Sequence, residues 1–223
     1  MANLGTIGLN GLAMKPRWRQ GLTALTMLAA IYAVAASAGM VTIGAKSQSG
    51  SAAEDAVIVF DPLDKVPPST HPAVIIDQIN KRFVPRVNVI RTGTAVSFPN
   101  SDSIRHQVYS FSKPHPFNLK LYAGSPRMDI VFDKAGMVIL GCNIHDTMVA
   151  FVAVVDTPYF AKTLKAGTAQ LDLPAGRYRL RVWHPSQSAA IAPMEITVGG
   201  EPMSIPLAIE LGAPDGPPAA WPE

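Results

Sequence analysis

The strongest limit on what this chain can fold into is a pattern running from residue 56 to residue 211. Short apolar runs, rich in Val, Ile, Thr and aromatic residues, alternate with breaks of Gly, Pro, Asn and Asp. No window carries the 3.6-residue apolar period of a helix, so the pattern predicts strands throughout. Residues 56–60, 73–76, 87–90, 94–98, 107–111, 128–132, 137–140 and 149–155 read as strands, with a bend at 83–85 and turns at Thr92-Gly93 and Lys134-Ala135-Gly136. A second group, 167–173, 178–183, 194–198 and 204–211, follows the break at Thr157-Pro158. So many short strands at regular spacing imply a two-sheet sandwich or barrel. The later group spans about 50 residues, small for an independent core, and is expected to pack on the first, sharing the strand at 56–60.

The N-terminus has a different character. Lys15, Arg17 and Arg19 precede an uncharged run from 20 to 45 rich in Ala, Leu, Met and Val, with Ala36-Ser37-Ala38 at its far end. This is the form of an export signal, expected to be cut after Ala38. A run of this length also suffices to span a bilayer, so an uncleaved membrane anchor is the competing reading. Residues 39–54 are rich in Ser, Ala and Gly and predict a flexible leader. The proline-rich residues 213–223 predict a disordered tail. The organisation expected is therefore a signal at 1–38, a leader at 39–54, a first β-domain at 55–156, a small β-unit at 157–212 and the tail.

Charge excludes one class of function. Three of the 19 Lys and Arg residues lie in the signal, whereas all 16 Asp and Glu residues lie beyond it, leaving 16 of each in the exported part. A formally neutral chain lacks the clustered positive charge that nucleic-acid binding requires.

The chain has one cysteine, Cys142. An unpaired thiol in an oxidising compartment is a liability unless it is buried or has a role. It sits in Leu140-Gly141-Cys142-Asn143-Ile144-His145-Asp146-Thr147-Met148, between two strands. A thiol, an imidazole and a thioether in one short loop form a soft donor set suited to copper. Closing a site needs a further histidine from another strand. The candidates outside the loop are His71, His106, His115 and His184, and His106, opening the strand at 107–111 after a polar loop, is the best placed. Zinc is the competing metal; Cys with two His would leave it an open fourth position, but no obvious general base lies nearby. His71 and His115, each beside proline, read as exposed loop residues. Lys162 and Lys165 read as solvated charges. His184, in Trp183-His184-Pro185, reads as a structural hydrogen-bonding residue at a junction, with a second metal or partner site as the alternative.

Residues 73–156 resemble the cupredoxins, the blue copper proteins, and most closely their amicyanin and plastocyanin branch. The resemblance rests on residues 94–100 followed by His106, and on Cys142-x-x-His145-x-x-Met148. The whole chain is similar to exported methylamine-utilisation-type proteins with a cupredoxin domain. Its tail, with Leu173-Pro174-Ala175-Gly176 and Trp183-His184-Pro185, is similar to carboxypeptidase regulatory-like modules. The resemblance implies an all-β, cupredoxin-like Greek-key sandwich followed by a small antiparallel β-unit. It implies one type 1 copper held by His106, Cys142 and His145 as equatorial ligands, with Met148 axial. It also implies that Asn100 ties the His106 loop to the Cys142 loop. This chain departs from the family where an aromatic residue often stands two before the cysteine; here that residue is Leu140.

The function expected is that of a periplasmic one-electron carrier between a dehydrogenase and a c-type cytochrome or oxidase, not an enzyme. Five histidines are too few for a multicopper oxidase or a nitrite reductase. The alternative is an exported copper-binding or sensing module that docks a partner or the cell envelope.

Overall fold

The computed structural model describes residues 38–64, 72–126, 128–213 and 219–222. Of the export signal or anchor expected over 1–38, residues 1–37 lie outside the described residues, as does His71. Among the described residues no helix is long and apolar enough to cross a membrane.

All regular structure described is β. In chain order the strands are β1 (Ala38–Ser47), β2 (Val57–Pro62), β3 (Val74–Ile75), β4 (Asp77–Ile79), β5 (Arg82–Val84) and β6 (Val87–Arg91). There follow β7 (Thr94–Ser97), β8 (His106–Ser110), β9 (Phe117–Tyr122), β10 (Ile130–Phe132), β11 (Gly136–Gly141) and β12 (Val149–Val155). The last are β13 (Phe160–Lys162), β14 (Thr168–Pro174), β15 (Gly176–Trp183), β16 (Met194–Val198) and β17 (Met203–Ile209).

The strands stack as four sheet layers with three apolar seams. One pair, β10-β7-β3 against β6-β12-β11-β8-β9, encloses a core that includes Ile76, Phe98, Val108, Phe132, Leu140 and Val152. The other pair, β13-β2-β15-β16 against β14-β1-β17, encloses Val41, Ile43, Ile58, Phe60, Leu180 and Ile209. A third seam joins the two sandwiches: Val57, Val59 and Trp183 meet Val87, Phe151, Ala153 and Val155.

This stacking explains the uninterrupted apolar run of β12. Successive strand residues face opposite sides, so Ala150, Val152 and Val154 enter the first core while Phe151, Ala153 and Val155 enter the seam. A strand buried on both faces reads as continuous rather than alternating hydrophobicity. β2 works the same way, with Ile58 and Phe60 on one side and Val57 and Val59 on the other.

Several boundaries differ from the sequence expectations. Residues 38–47 are not a flexible leader but β1, the central strand of its sheet, antiparallel to β14 and parallel to β17. β2 lies between β13 and β15, so residues 57–62 belong to the C-terminal sandwich rather than to a domain starting at 55. The described residues, from Ala38 onward, belong to one compact unit. The Thr92-Gly93 turn is a corner between sheets, because β6 pairs with β12 and β7 pairs with β10 and β3. The tail is ordered where it is described: Trp183 Nε1 donates to Ala219 O at 3.0 Å, and Arg181 lies over the Trp221 ring and donates to Pro222 O. Lys162 is bound, at 2.7 Å from Asp55 and 3.0 Å from Val87 O.

Candidate metal centre

The first sandwich brings two distant loops to one end. β8 runs antiparallel to β11 with Tyr109 opposite Gly141, so the start of β8 lies beside the point where β11 gives way to Cys142. β11 and β12 form a hairpin whose loop carries residues 142–148. That loop is cinched by Met148 N–H donating to His145 O at 2.9 Å and Val149 N–H to Thr147 O at 3.1 Å. In β8 the inward positions are His106, Val108 and Ser110, which turns the His106 ring toward the core.

His106, Cys142 and His145 are brought together. One ligand atom from each lies within 4.8 Å of the others. His106 is fully buried and Cys142 is 3% exposed, while His145 is half-buried. The Cys142 Sγ to His106 Nδ1 distance is 3.8 Å, and the two imidazole rings lie 5.2 Å apart at 60°. Met148 is 1% exposed and packs in the same apolar cluster as Cys142.

Two observations test whether these residues fit a metal. With metal–nitrogen and metal–sulfur bonds of about 2.0 and 2.3 Å, ligands about 120° apart stand roughly 3.7 Å from each other. The observed 3.8 Å matches that spacing, and in the metal-free chain it is also the distance of a thiol–imidazole hydrogen bond. Second, His145 Nδ1 is buried with no hydrogen-bond partner. A buried polar atom left unsatisfied costs about 1–3 kcal/mol and calls for an explanation, which coordination supplies. The donor set brought together, one sulfur and two imidazole nitrogens, suits copper or zinc rather than a hard cation.

His106 is oriented from behind by a residue that sequence reasoning passed over. Its Nε2 lies 2.7 Å from Asp102 Oδ2. An ionised carboxylate only accepts, so Nε2 carries the proton and Nδ1 presents its lone pair toward Cys142. Asp102 also accepts from the backbone N–H groups of Asn80, at 2.6 Å, and Lys81, at 2.8 Å. These two residues form the two-residue turn between β4 and β5, with φ of 53° and 59°; both central residues of such a turn need positive φ. Burial alone would raise the Asp102 pKa, but hydrogen bonds from Lys81, His106 and Asn80 outweigh it and hold the carboxyl below its ordinary range. The spacing Asp102-x-x-x-His106 was the available signal, but a polar loop offers many acids.

Asn100 plays a different part from the one the family implies. Its Nδ2 donates to Ile104 O and Tyr122 O, both at 2.9 Å, and its Oδ1 accepts from Asp102 N–H at 3.1 Å. It ties the His106 loop to itself and to β9; these bonds do not reach the Cys142 loop. Beneath it, Gln78 is fully buried and donates to Pro99 O at 3.1 Å. Tyr122 donates to Phe98 O. Burial pushes the Tyr122 phenol up to about 12, so it stays a neutral donor at physiological pH.

The remaining described histidines lie elsewhere. His184 is 7% exposed, and both ring nitrogens are used: Nδ1 accepts from Ser186 N–H at 3.0 Å and Nε2 donates to Glu54 O at 2.8 Å. Burial lowers its pKa, and it acts as a neutral clasp between the β15 end and the chain before β2. His115 is not an exposed loop residue: its ring stacks on Phe132 at 4.7 Å, with Asp133 at 3.5 Å.

No protein-family model and no curated protein matches the chain. Among solved structures it is similar to a copper-containing nitrite reductase from Thermus scotoductus, at 26% identity and a TM-score of 0.35. That likeness covers 42% of this chain and 25% of the reductase. This chain therefore spans about a quarter of that protein's length. It is similar to a purple cupredoxin from Nitrosopumilus maritimus at 26% identity and a TM-score of 0.33, over 37% of this chain and 99% of that one. It is also similar to an oxidized amicyanin variant at 16% identity and a TM-score of 0.34, over 45% and 99% of the two chains. The described residues are all-β, and the structural neighbours include cupredoxins.

Proposed function

We propose that this chain is an exported type 1 copper protein that carries single electrons, with His106, Cys142 and His145 as its ligands and Met148 as a weak fourth. The observation that carries this reading is the buried cluster of one thiol and two imidazoles with His145 Nδ1 left without a partner. Copper, when bound, supplies one-electron cycling between its two common oxidation states. The protein's own part is to keep the donors fixed and dry. Cys142 and His106 are anchored at the ends of paired strands and shielded from water, so the donor positions change little between states. His145 is half-buried beside Ile144, which is 49% exposed; this edge is the natural exit for the electron. The partners in this reading are a dehydrogenase and a c-type cytochrome or oxidase in the periplasm. The methylamine-utilisation type is a finer reading that rests on the resemblance of the Cys142 loop and the two tail stretches.

Copper-loaded protein should show an intense visible thiolate-to-copper band and a narrow EPR hyperfine splitting, both lost in Cys142→Ser. A colourless copper complex would refute the reading, and preferential binding of zinc would replace it. The second sandwich favours an alternative, an exported copper-binding or sensing module, since a carrier alone has no need of it. Negligible electron exchange with cytochrome c by a blue protein would favour that alternative.

A further inference from the structure

Taking copper binding as read above, we propose that Asp102 is a positioning residue of the centre. It fixes His106 with Nδ1 toward Cys142 and sets a negative charge one hydrogen bond away from the ligand, favouring Cu(II) over Cu(I).

Three features of the structure support it. The first is the 2.7 Å contact between Asp102 Oδ2 and His106 Nε2, on a ring that is 0% exposed and whose other nitrogen faces the Cys142 sulfur. A carboxylate behind a ligating histidine fixes its tautomer and raises its basicity, and a more basic ligand supports the higher oxidation state.

The second is that the carboxylate is itself held. Both its oxygens accept backbone N–H groups from the β4–β5 turn, and consecutive turn N–H groups form an anion-binding concavity. Lys81 adopts φ of 59° there, a left-handed conformation that costs a non-glycine residue about 1–3 kcal/mol. The turn keeps this shape with its N–H groups aimed at Asp102.

The third is that the loop between the two residues is braced independently. Asp102 N–H donates to Asn100 Oδ1, and Asn100 Nδ2 holds Ile104 O. The carboxylate therefore meets the imidazole on a pre-formed loop rather than through a mobile surface side chain.

The test compares wild type, Asp102→Asn and Asp102→Glu, each loaded with copper, by chelator competition in both oxidation states and by spectroelectrochemical titration. The asparagine keeps an acceptor for the turn and loses the charge. We expect it to keep the visible band while its preference for Cu(II) over Cu(I) falls at least tenfold, a rise in potential of about 59 mV for a one-electron couple. The glutamate should restore part of the difference. An unchanged potential in Asp102→Asn, or equal loss of affinity in both states, would overturn the proposal while leaving the copper reading intact. Absence of the visible band in wild type would instead overturn the copper reading. The positioning role then stands on long-range proton–nitrogen NMR of the metal-free wild type, which also serves if the variants do not fold. A His106 proton on Nε2 supports the proposal, and a proton on Nδ1 overturns it.

Discussion

Replacing His145 by phenylalanine should strengthen the metal-free protein and weaken the copper-loaded one. In the metal-free chain, His145 Nδ1 is buried without a partner, a state that costs about 1–3 kcal/mol. Phenylalanine keeps a ring at the 5.2 Å contact with His106 and removes the orphan nitrogen. His145→Phe is therefore expected to gain up to about 1–3 kcal/mol in chelator. His106→Phe provides the contrast within the same cluster. Its Nε2 is paired with Asp102, and losing a hydrogen bond to a charged group costs about 1.5–3 kcal/mol.

Copper reverses the order. A ligand that binds only the folded state adds about 4.1 kcal/mol at a free concentration a thousand times its Kd. Wild type gains that term, and His145→Phe, short of one ligand, gains less. Urea unfolding of both proteins in chelator and in excess copper checks the sign in each condition. A His145→Phe protein that is weaker than wild type in chelator would show that Nδ1 had a partner. An equal gain on adding copper would show that His145 is not a ligand.

Three further outcomes follow from other parts of the fold. A Cβ at Gly141 would stand 2.7 Å from Tyr109 Cζ, at the far end of a half-buried side chain that must shift, so Gly141→Ala should cost up to about 0.5 kcal/mol. In a Tyr109→Ala background, removing a strand glycine should instead be neutral or favourable by about 0.5–1 kcal/mol; additive urea midpoints would refute the contact. His184 has its pKa lowered by burial from an ordinary 6.5, so the folded state binds fewer protons than the unfolded one below that pH. Its stabilising contribution is full above about pH 6.5 and is lost as pH falls toward the lowered value. The stability difference between wild type and His184→Gln should shrink over that range, and a pH-independent difference would refute it. Truncation after Asp156 removes β13 to β17, and with them both sheet neighbours of β2 and the Trp183 that packs on Phe151, at about 1.5–3 kcal/mol for Phe151 alone. The shortened chain should aggregate or lose cooperative unfolding, and an unaltered urea transition would show that the seam contributes little.

How much of this was legible in the sequence depends on how locally each feature is encoded. The strand at 149–155 could be read because burial on both faces leaves a continuous apolar run, and Cys142, His145 and Met148 stand out as candidate donors because a single hairpin loop carries all three. β1 was hidden by its small residues. Val41, Ile43 and Ala45 do alternate inward, but Gly39 and Gly44 among them look like leader, and Gly39 is small because a Cβ there would meet Gly199 O at 2.5 Å. The β4–β5 hairpin escaped notice because its turn is Asn80-Lys81, with no glycine to announce positive φ. That omission concealed the role of Asp102. An acid four residues before His106 has no assigned partner until the turn at 80–81, more than 20 residues upstream, is known to close over its carboxylate. The clustered thiol and imidazoles are fixed by a short motif and one strand pairing, whereas the group behind His106 is fixed by a meeting of three segments. Residues of the second kind need the fold before they can be found, and the polar loop from Asn100 to Arg105 is where this chain keeps them.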